Sequence, residues 1–242
     1  MNNVLLITDM HIAKNGLNGI DTITAFKNVL RHSNKNIKAD SLILCGDLAQ
    51  DGFESDYQIM CALIHQYYPN IPTYTIAGNH DNQENLAKIV DQQDNIIYLD
   101  NKKIDTENHQ IIFLNSNLQN KTEGYLATKT LTWLKDILHT TNKQVYIFLH
   151  HHTVPIGLKI DKYILKNREE FITLLQLYKN KIKSVICGHT HNFTQQEIAG
   201  ISFITLPSAS MQYLSKTQFM PENKQMYSLL NLLNNNLTVY SV

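Results

Sequence analysis

Short apolar runs rich in Val, Ile and Leu recur along this chain, at residues 4–8, 41–45, 73–76, 96–99, 110–115, 145–149 and 184–187. Each is too short for an ordinary helix and has the composition of a buried strand. Between them lie segments with apolar residues at helical spacing, at 22–32, 56–67, 84–91, 128–139 and 168–178. Strand and helix alternating in this way confine the fold to the α/β class, because each helix must lie on a sheet face to bury its apolar stripe. Three stretches break the alternation. Residues 103–115 read as two strands around the polar turn Thr106-Glu107-Asn108, residues 195–206 as a hairpin turning at Gly200, and residues 227–242 as a hairpin turning at Asn234-Asn235-Asn236. Hairpins add antiparallel strands, so mixed sheets are expected. No repeat and no Pro/Gly/Ser-rich linker divides the sequence, and a single domain over 1–242 is expected.

The strand ends carry the chemistry. The run 4–8 leads into Asp9-Met10-His11, 41–45 into Gly46-Asp47, and 73–76 through Ala77 into Gly78-Asn79-His80-Asp81. The run 145–149 leads into His150-His151-His152 and 184–187 into Gly188-His189-Thr190-His191. A turn needs the glycines but not the histidines. Ligands of an open α/β sheet bind beyond the carboxyl ends of its strands, so these side chains are expected to converge. Asp9/His11 and His189/His191 are spaced i, i+2, which in extended chain puts each pair on one face about 6.6 Å apart. Carboxylates and imidazoles together suit divalent Mn, Fe or Zn. There are more donors than one ion needs, and two ions roughly 3.5–4 Å apart would use them. Spacing alone leaves open whether His150 or His152 is the ligand from the histidine run. His32, His65, His109 and His139 fall on helices or in a hairpin and read as ordinary histidines. Trp133, with Leu131, Leu134 and Leu138, reads as core.

Composition removes several alternatives. Lys+Arg and Asp+Glu are both 21, so the formal net charge is zero and there is no electrostatic basis for binding nucleic-acid polymers or acidic membranes. Cys45, Cys61 and Cys187 form no CxxC pair and read as buried, reduced thiols of a cytoplasmic protein. The start, MNNVLLITD, lacks the basic lead-in of a signal peptide.

The ordered set Asp9-x-His11, Gly46-Asp47, Gly78-Asn79-His80-Asp81, His150 and Gly188-His189-Thr190-His191 resembles the calcineurin-like metallophosphoesterase superfamily. The block Gly46-Asp47-Leu48-Ala49-Gln50-Asp51-Gly52, the His150–His152 run and Leu206-Pro207-Ser208-Ala209-Ser210 are similar to the bacterial class III 3′,5′-cyclic AMP phosphodiesterases. The resemblance implies a mixed-sheet β-sandwich flanked by helices, a four-layer α/β/β/α fold. Residues 208–242 would form a substrate-side segment and closing hairpin. It implies two divalent ions, Fe and/or Mn or alternatively Zn. One would be held by Asp9, His11, Asp47 and His191, and the other by Asp47, Asn79, His150 and His189. It implies hydrolysis of cyclic AMP to 5′-AMP by a hydroxide bridging the ions, with His80 facing the phosphate as a catalytic residue. Asp81 is expected either to orient His80 or to cap the following helix. Other phosphoester hydrolases on the same site, such as nucleotide pyrophosphatases or phosphomonoesterases, are the alternative, and a non-catalytic scaffold a more distant one. Thr153 stands where the family usually has proline, which bears on the entry to the following loop. The loops 12–19, 153–166 and 210–222 are expected to line the nucleotide pocket.

Overall fold

The computed structural model describes residues 1–213 and 221–242. Two six-stranded mixed sheets form its centre. The first contains β1 (Asn3–Ile7), β2 (Ser41–Cys45), β3 (Thr73–Ile76) and β4 (Ile96–Tyr98) as parallel neighbours. The antiparallel hairpin β13 (Met226–Asn231) and β14 (Asn236–Ser241) is added beside β1. The second sheet has β6 (His109–Phe113), β7 (Gln144–Leu149), β8 (Ile182–Cys187) and β10 (Ile201–Thr205) in parallel. Its antiparallel edges are β5 (Lys102–Asp105) and β9 (Thr194–Ile198).

The period of two along each strand explains the layering. In β1, Val4 and Leu6 face the second sheet, where they join Tyr146 and Phe148 of β7 in one buried cluster. Leu5 and Ile7 face the other way, onto Phe26, Val29 and Leu30 of α1 (Thr22–Asn36), Tyr57 and Met60 of α2 (Glu54–Tyr67) and Leu86 of α3 (Gln83–Val90). Ile147 and Leu149 likewise pack under Leu134 and Leu138 of α4 (Thr128–Thr140) and Phe171 of α5 (Arg168–Gln176). Both faces of each sheet are covered, giving the four layers α/β/β/α that the resemblance implies.

The three hairpins stand where the sequence places them. The turn at Gly200 has Ala199 and Gly200 both at positive φ, the requirement of a tight hairpin turn. Trp133 is half-buried at the periphery of its cluster rather than in the core. α1 continues past residue 32 because Ser33 is buried on the same stripe as Phe26, Val29 and Leu30. The strand expected over 110–115 stops at Phe113, where Asn115 turns to donate its backbone N–H to the Asn101 side chain. Among the described residues, three short features have no apolar periodicity to announce them: the 3₁₀ turns at Lys159–Tyr163 and Lys179–Lys181, and the ribbon β11 (Gln212–Tyr213) with β12 (Pro221–Glu222). Residues 214–220 of the expected loop 210–222 lie outside the described residues.

Candidate metal centre

The strand ends turn abruptly, and the residues that turn are the expected ligands. Asp9, His11, Asp47, His189 and His191 all have positive φ, between 46° and 69°. Side chains other than Gly or Asn rarely adopt this region, and such strain persists where surrounding structure enforces it. Here it is enforced by Asp9, whose carbonyl oxygen accepts from Ser208 Oγ (2.8 Å) and Ser210 Oγ (2.7 Å), and whose carboxylate accepts from the His189 N–H at 3.0 and 3.1 Å. Gly78 has no Cβ because none fits: one would sit 2.2 Å from Asp47 Oδ1. At Gly46, φ is +88° and a Cβ would meet His150 Nδ1 at 2.4 Å.

The result is a buried cluster drawn from both sheets. His11 Nε2 lies 3.0 Å from His191 Nε2, which lies 3.5 Å from Asp9 Oδ1. Asp47 Oδ2 is 3.6 Å from His11 Nε2 and 3.3 Å from His150 Nε2. Asp9, His11 and His191 form one group of candidate metal donors, and Asp47, His150 and His189 another. Three of the ring Nδ1 atoms are tied down: His11 to Gln50 Oε1 (2.9 Å), His150 to the Cys45 carbonyl (2.9 Å) and His191 to the Met211 carbonyl (2.8 Å). Oxygen acceptors on Nδ1–H leave the lone pair on Nε2, aimed at the centre. His11 and His191 therefore direct two lone pairs at each other, an arrangement that a bound cation would relieve. Asn79 Oδ1, His150 Nε2 and His189 Nε2 are buried with no hydrogen-bond partner among the described residues. Buried polar atoms are normally satisfied, so orphaned ones call for a ligand, and these donors fit divalent ions.

Geometry separates the three residues of the histidine run. His150 reaches Asp47, whereas His152 Nε2 turns away to Asp161 Oδ1 at 3.0 Å. His151 is fully occupied by Ser116 Oγ and the Thr122 carbonyl. His80 stands close enough to His11 and Asp47 to be grouped with them, and its ring Nδ1 is 3.1 Å from the Gln50 carbonyl. Asp81 departs from both expectations. It accepts from the backbone N–H groups of Leu48, Ala49 and Gly78 and from the Tyr57 hydroxyl, stapling the loop after β2 to the loop after β3. The cap of α3 is Asn82, which accepts from Glu84 and Asn85. Gln50, which holds both His11 and His80, has no sequence signal beyond its place in the Gly46–Gly52 block.

Burial sets the electrostatics. It pushes the Asp9 carboxyl up, with Asp47 adding to the effect and His150 opposing it. Asp47 goes the other way: burial alone would raise it, but His150 and His80 hold it well below the usual range. Burial would lower His150, and Asp47 overrides it to lift the imidazole to about 9. Burial lowers His11 to about 4 and takes His189 and His191 well below the ordinary value, so these three are neutral donors at neutral pH. The cluster opens into a cavity of about 160 Å³ bordered by His80, Asn79, Thr122, Ile160, Tyr163 and Tyr213. Of the three loops expected to line it, 153–166 and the described part of 210–222 do so. Residues 12–19 do not border it, and Thr122 comes from a loop the sequence did not single out.

Comparison with known proteins places this geometry in context. Residues 3–193 match the model of the family described as calcineurin-like phosphoesterase. A protein of Colwellia psychrerythraea named "Probable cyclic nucleotide phosphodiesterase" is 30% identical over 217 residues, covering 86% of this chain and 80% of that protein. A protein of Arcobacter nitrofigilis named "Probable glycerophosphodiester phosphodiesterase GpdQ" is 30% identical over 218 residues, covering 86% and 79%. Among solved structures, a dimetal phosphatase from Danio rerio superposes with a TM-score of 0.75 at 14% identity, covering 99% of this chain and 95% of that one. With the ordered motifs, the four-layer fold and the match over most of its length, the chain belongs to the calcineurin-like phosphoesterase family.

Proposed function

We propose that the protein is a metal-dependent phosphodiesterase that hydrolyses 3′,5′-cyclic AMP to 5′-AMP. The observation that carries this reading is the set of orphaned donors, Asn79 Oδ1, His150 Nε2 and His189 Nε2, buried around the Asp47 carboxylate beside an open cavity. In this reading Asp9, His11, Asp47 and His191 hold one divalent ion, and Asp47, Asn79, His150 and His189 hold the second. Bound ions would supply Lewis acidity, polarising phosphoryl oxygens and making water more acidic. Asn79 adds a neutral oxygen and so limits the negative charge gathered at the site.

His80 does the proton work. The Gln50 carbonyl can only accept, so the ring Nδ1 carries a hydrogen and Nε2 is the atom left for the substrate. Donating a proton to the leaving 3′ oxygen therefore requires His80 to enter as imidazolium. The His80 backbone N–H donates to Asp47 Oδ1 at 2.9 Å, which ties the position of this ring to the shared carboxylate. Asp81 acts by holding the loops that carry Asp47 and His80, without touching the His80 ring in this arrangement.

The Arcobacter relative gives a second reading, hydrolysis of a glycerophosphodiester. Incubating the Mn-loaded protein with cyclic AMP, cyclic GMP, 2′,3′-cyclic AMP and glycerophosphoethanolamine separates the two. Turnover of cyclic AMP with 5′-AMP as product supports the proposal. Turnover of the glycerophosphodiester alone would replace it, and turnover of none would end both.

A further inference from the structure

One wall of the cavity comes from none of the ligand-bearing turns. Ile160 and Tyr163 border it from the 3₁₀ turn Lys159–Tyr163, within the long connection between β7 and α5. That connection closes on itself. Asp161 accepts from the backbone N–H groups of Ile156 (3.0 Å) and Gly157 (2.8 Å) and from His152 Nε2 (3.0 Å). The Leu165 N–H returns to the His152 carbonyl at 3.0 Å. His152 is fully buried and stacks on the His189 ring, with centroids 5.5 Å apart. Lys162 Nζ lies 4.3 Å from the centroid of the Tyr163 ring and braces it.

A plain connection has no need of a fully buried histidine held by a half-buried carboxylate, since burying the imidazole without that partner would oppose folding. This one fastens a loop to the strand end that delivers His150, and it fixes the height at which Tyr163 and Ile160 meet the cavity. They form an apolar and aromatic wall, whereas the ligand turns contribute imidazoles, carboxylate and amide. A phosphate and ribose fit the polar side. A flat heterocycle fits the other, because bases bind by stacking on aromatic rings.

We propose that residues 153–163 form the recognition surface for the nucleobase end of the substrate. Tyr163 and Ile160 are its contacts, and Asp161 is the positioning residue that holds them in place. This rests on the phosphodiesterase reading, and binding measurements separate the two because they need no turnover. Calorimetric titration of the Mn-loaded protein compares 5′-AMP with ribose 5-phosphate, which lacks the base. Tyr163→Ala and Asp161→Ala are expected to weaken 5′-AMP binding about tenfold, the order of one lost base–aromatic stack, and to leave ribose 5-phosphate binding unchanged. In hydrolysis of cyclic AMP the same variants raise KM by a similar factor, with kcat within about twofold. Tyr163→Phe, which keeps the ring, is expected to recover most of the 5′-AMP affinity that Tyr163→Ala loses. The inference is overturned if both ligands weaken equally in the variants, or if neither does. If Asp161→Ala does not fold, Tyr163→Ala alone decides. A wild-type protein that binds 5′-AMP in preference to ribose 5-phosphate through Tyr163, yet turns over no cyclic AMP, supports the recognition surface and refutes the hydrolase reading.

Discussion

His80 has its ring Nδ1 bound to the Gln50 carbonyl, and the proton-donor role proposed for it rests on the other nitrogen being left for the substrate. His80→Ala is expected to keep both ions, measured by plasma emission spectrometry, while kcat falls by about 10²–10⁴, the usual contribution of a positioned acid or base. Loss of an ion in this variant would make His80 a ligand, which its closeness to His11 and Asp47 allows in distance. Gly78→Ala tests the shared carboxylate from the opposite side. Its Cβ would have to displace Asp47 Oδ1, so metal content should fall while the circular dichroism of the fold is retained. The residues that converge on the cluster were legible in the sequence because each sits one to four residues past an apolar run. Asp81 was not, because its partners are backbone N–H groups of a loop far along the chain, which no local pattern records. Gln50 escaped for the same reason: a glutamine inside a turn carries no periodicity.

At the scale of elements, the site depends on how firmly each strand end is held, and the outer helices hold the sheets. Lys181 donates its ammonium to the carbonyls of Leu138 and Thr141, both at 2.8 Å, at the C-terminal end of α4. Charge-assisted bonds there also oppose the negative end of the helix dipole. Lys181→Met should destabilise the protein by about 1–2 kcal/mol, lowering Tm by roughly 2–8 °C, with kcat unchanged. An equal loss of activity at temperatures well below Tm would contradict a purely structural role. The elements themselves were readable from periods of two and of 3.6, and the hairpins from their polar turns. The Lys159–Tyr163 turn and the β11–β12 ribbon were not. Their geometry comes from tertiary hydrogen bonds such as those of Asp161 rather than from an apolar stripe.

For the whole molecule, the candidate ligands come from both sheets, so metal binding to them would be linked to folding. His150 is lifted to about 9 by Asp47, and burial raises Asp9, when the cluster holds protons in place of ions. Ligands must be deprotonated, so metal binding releases protons and its apparent affinity rises with pH. The sign for stability follows. A histidine whose folded pKa is raised stabilises the metal-free protein below the unfolded value of 6.5 and loses that contribution as pH rises through about 9. His11, His189 and His191, whose values are lowered, are neutral in the folded state throughout that window, so they release no proton when metal binds, although in the unfolded chain they are half protonated at pH 6.5. The rise in Tm on adding Mn should therefore be larger at pH 8.5 than at pH 6.5, read by differential scanning calorimetry. An equal rise at both would mean that no group of the cluster exchanges a proton for metal.

The central claim is that Asp47 stands between two cations gathered by the ends of strands from both sheets. Anomalous diffraction from Mn-loaded crystals, paired with elemental analysis of the same preparation, tests it most directly. The expected result is two anomalous peaks per chain, one on the side of Asp9, His11 and His191 and one on the side of Asn79, His150 and His189, with two equivalents of metal. A single peak away from Asp47, or none in a protein that still folds and turns over cyclic AMP, would contradict it.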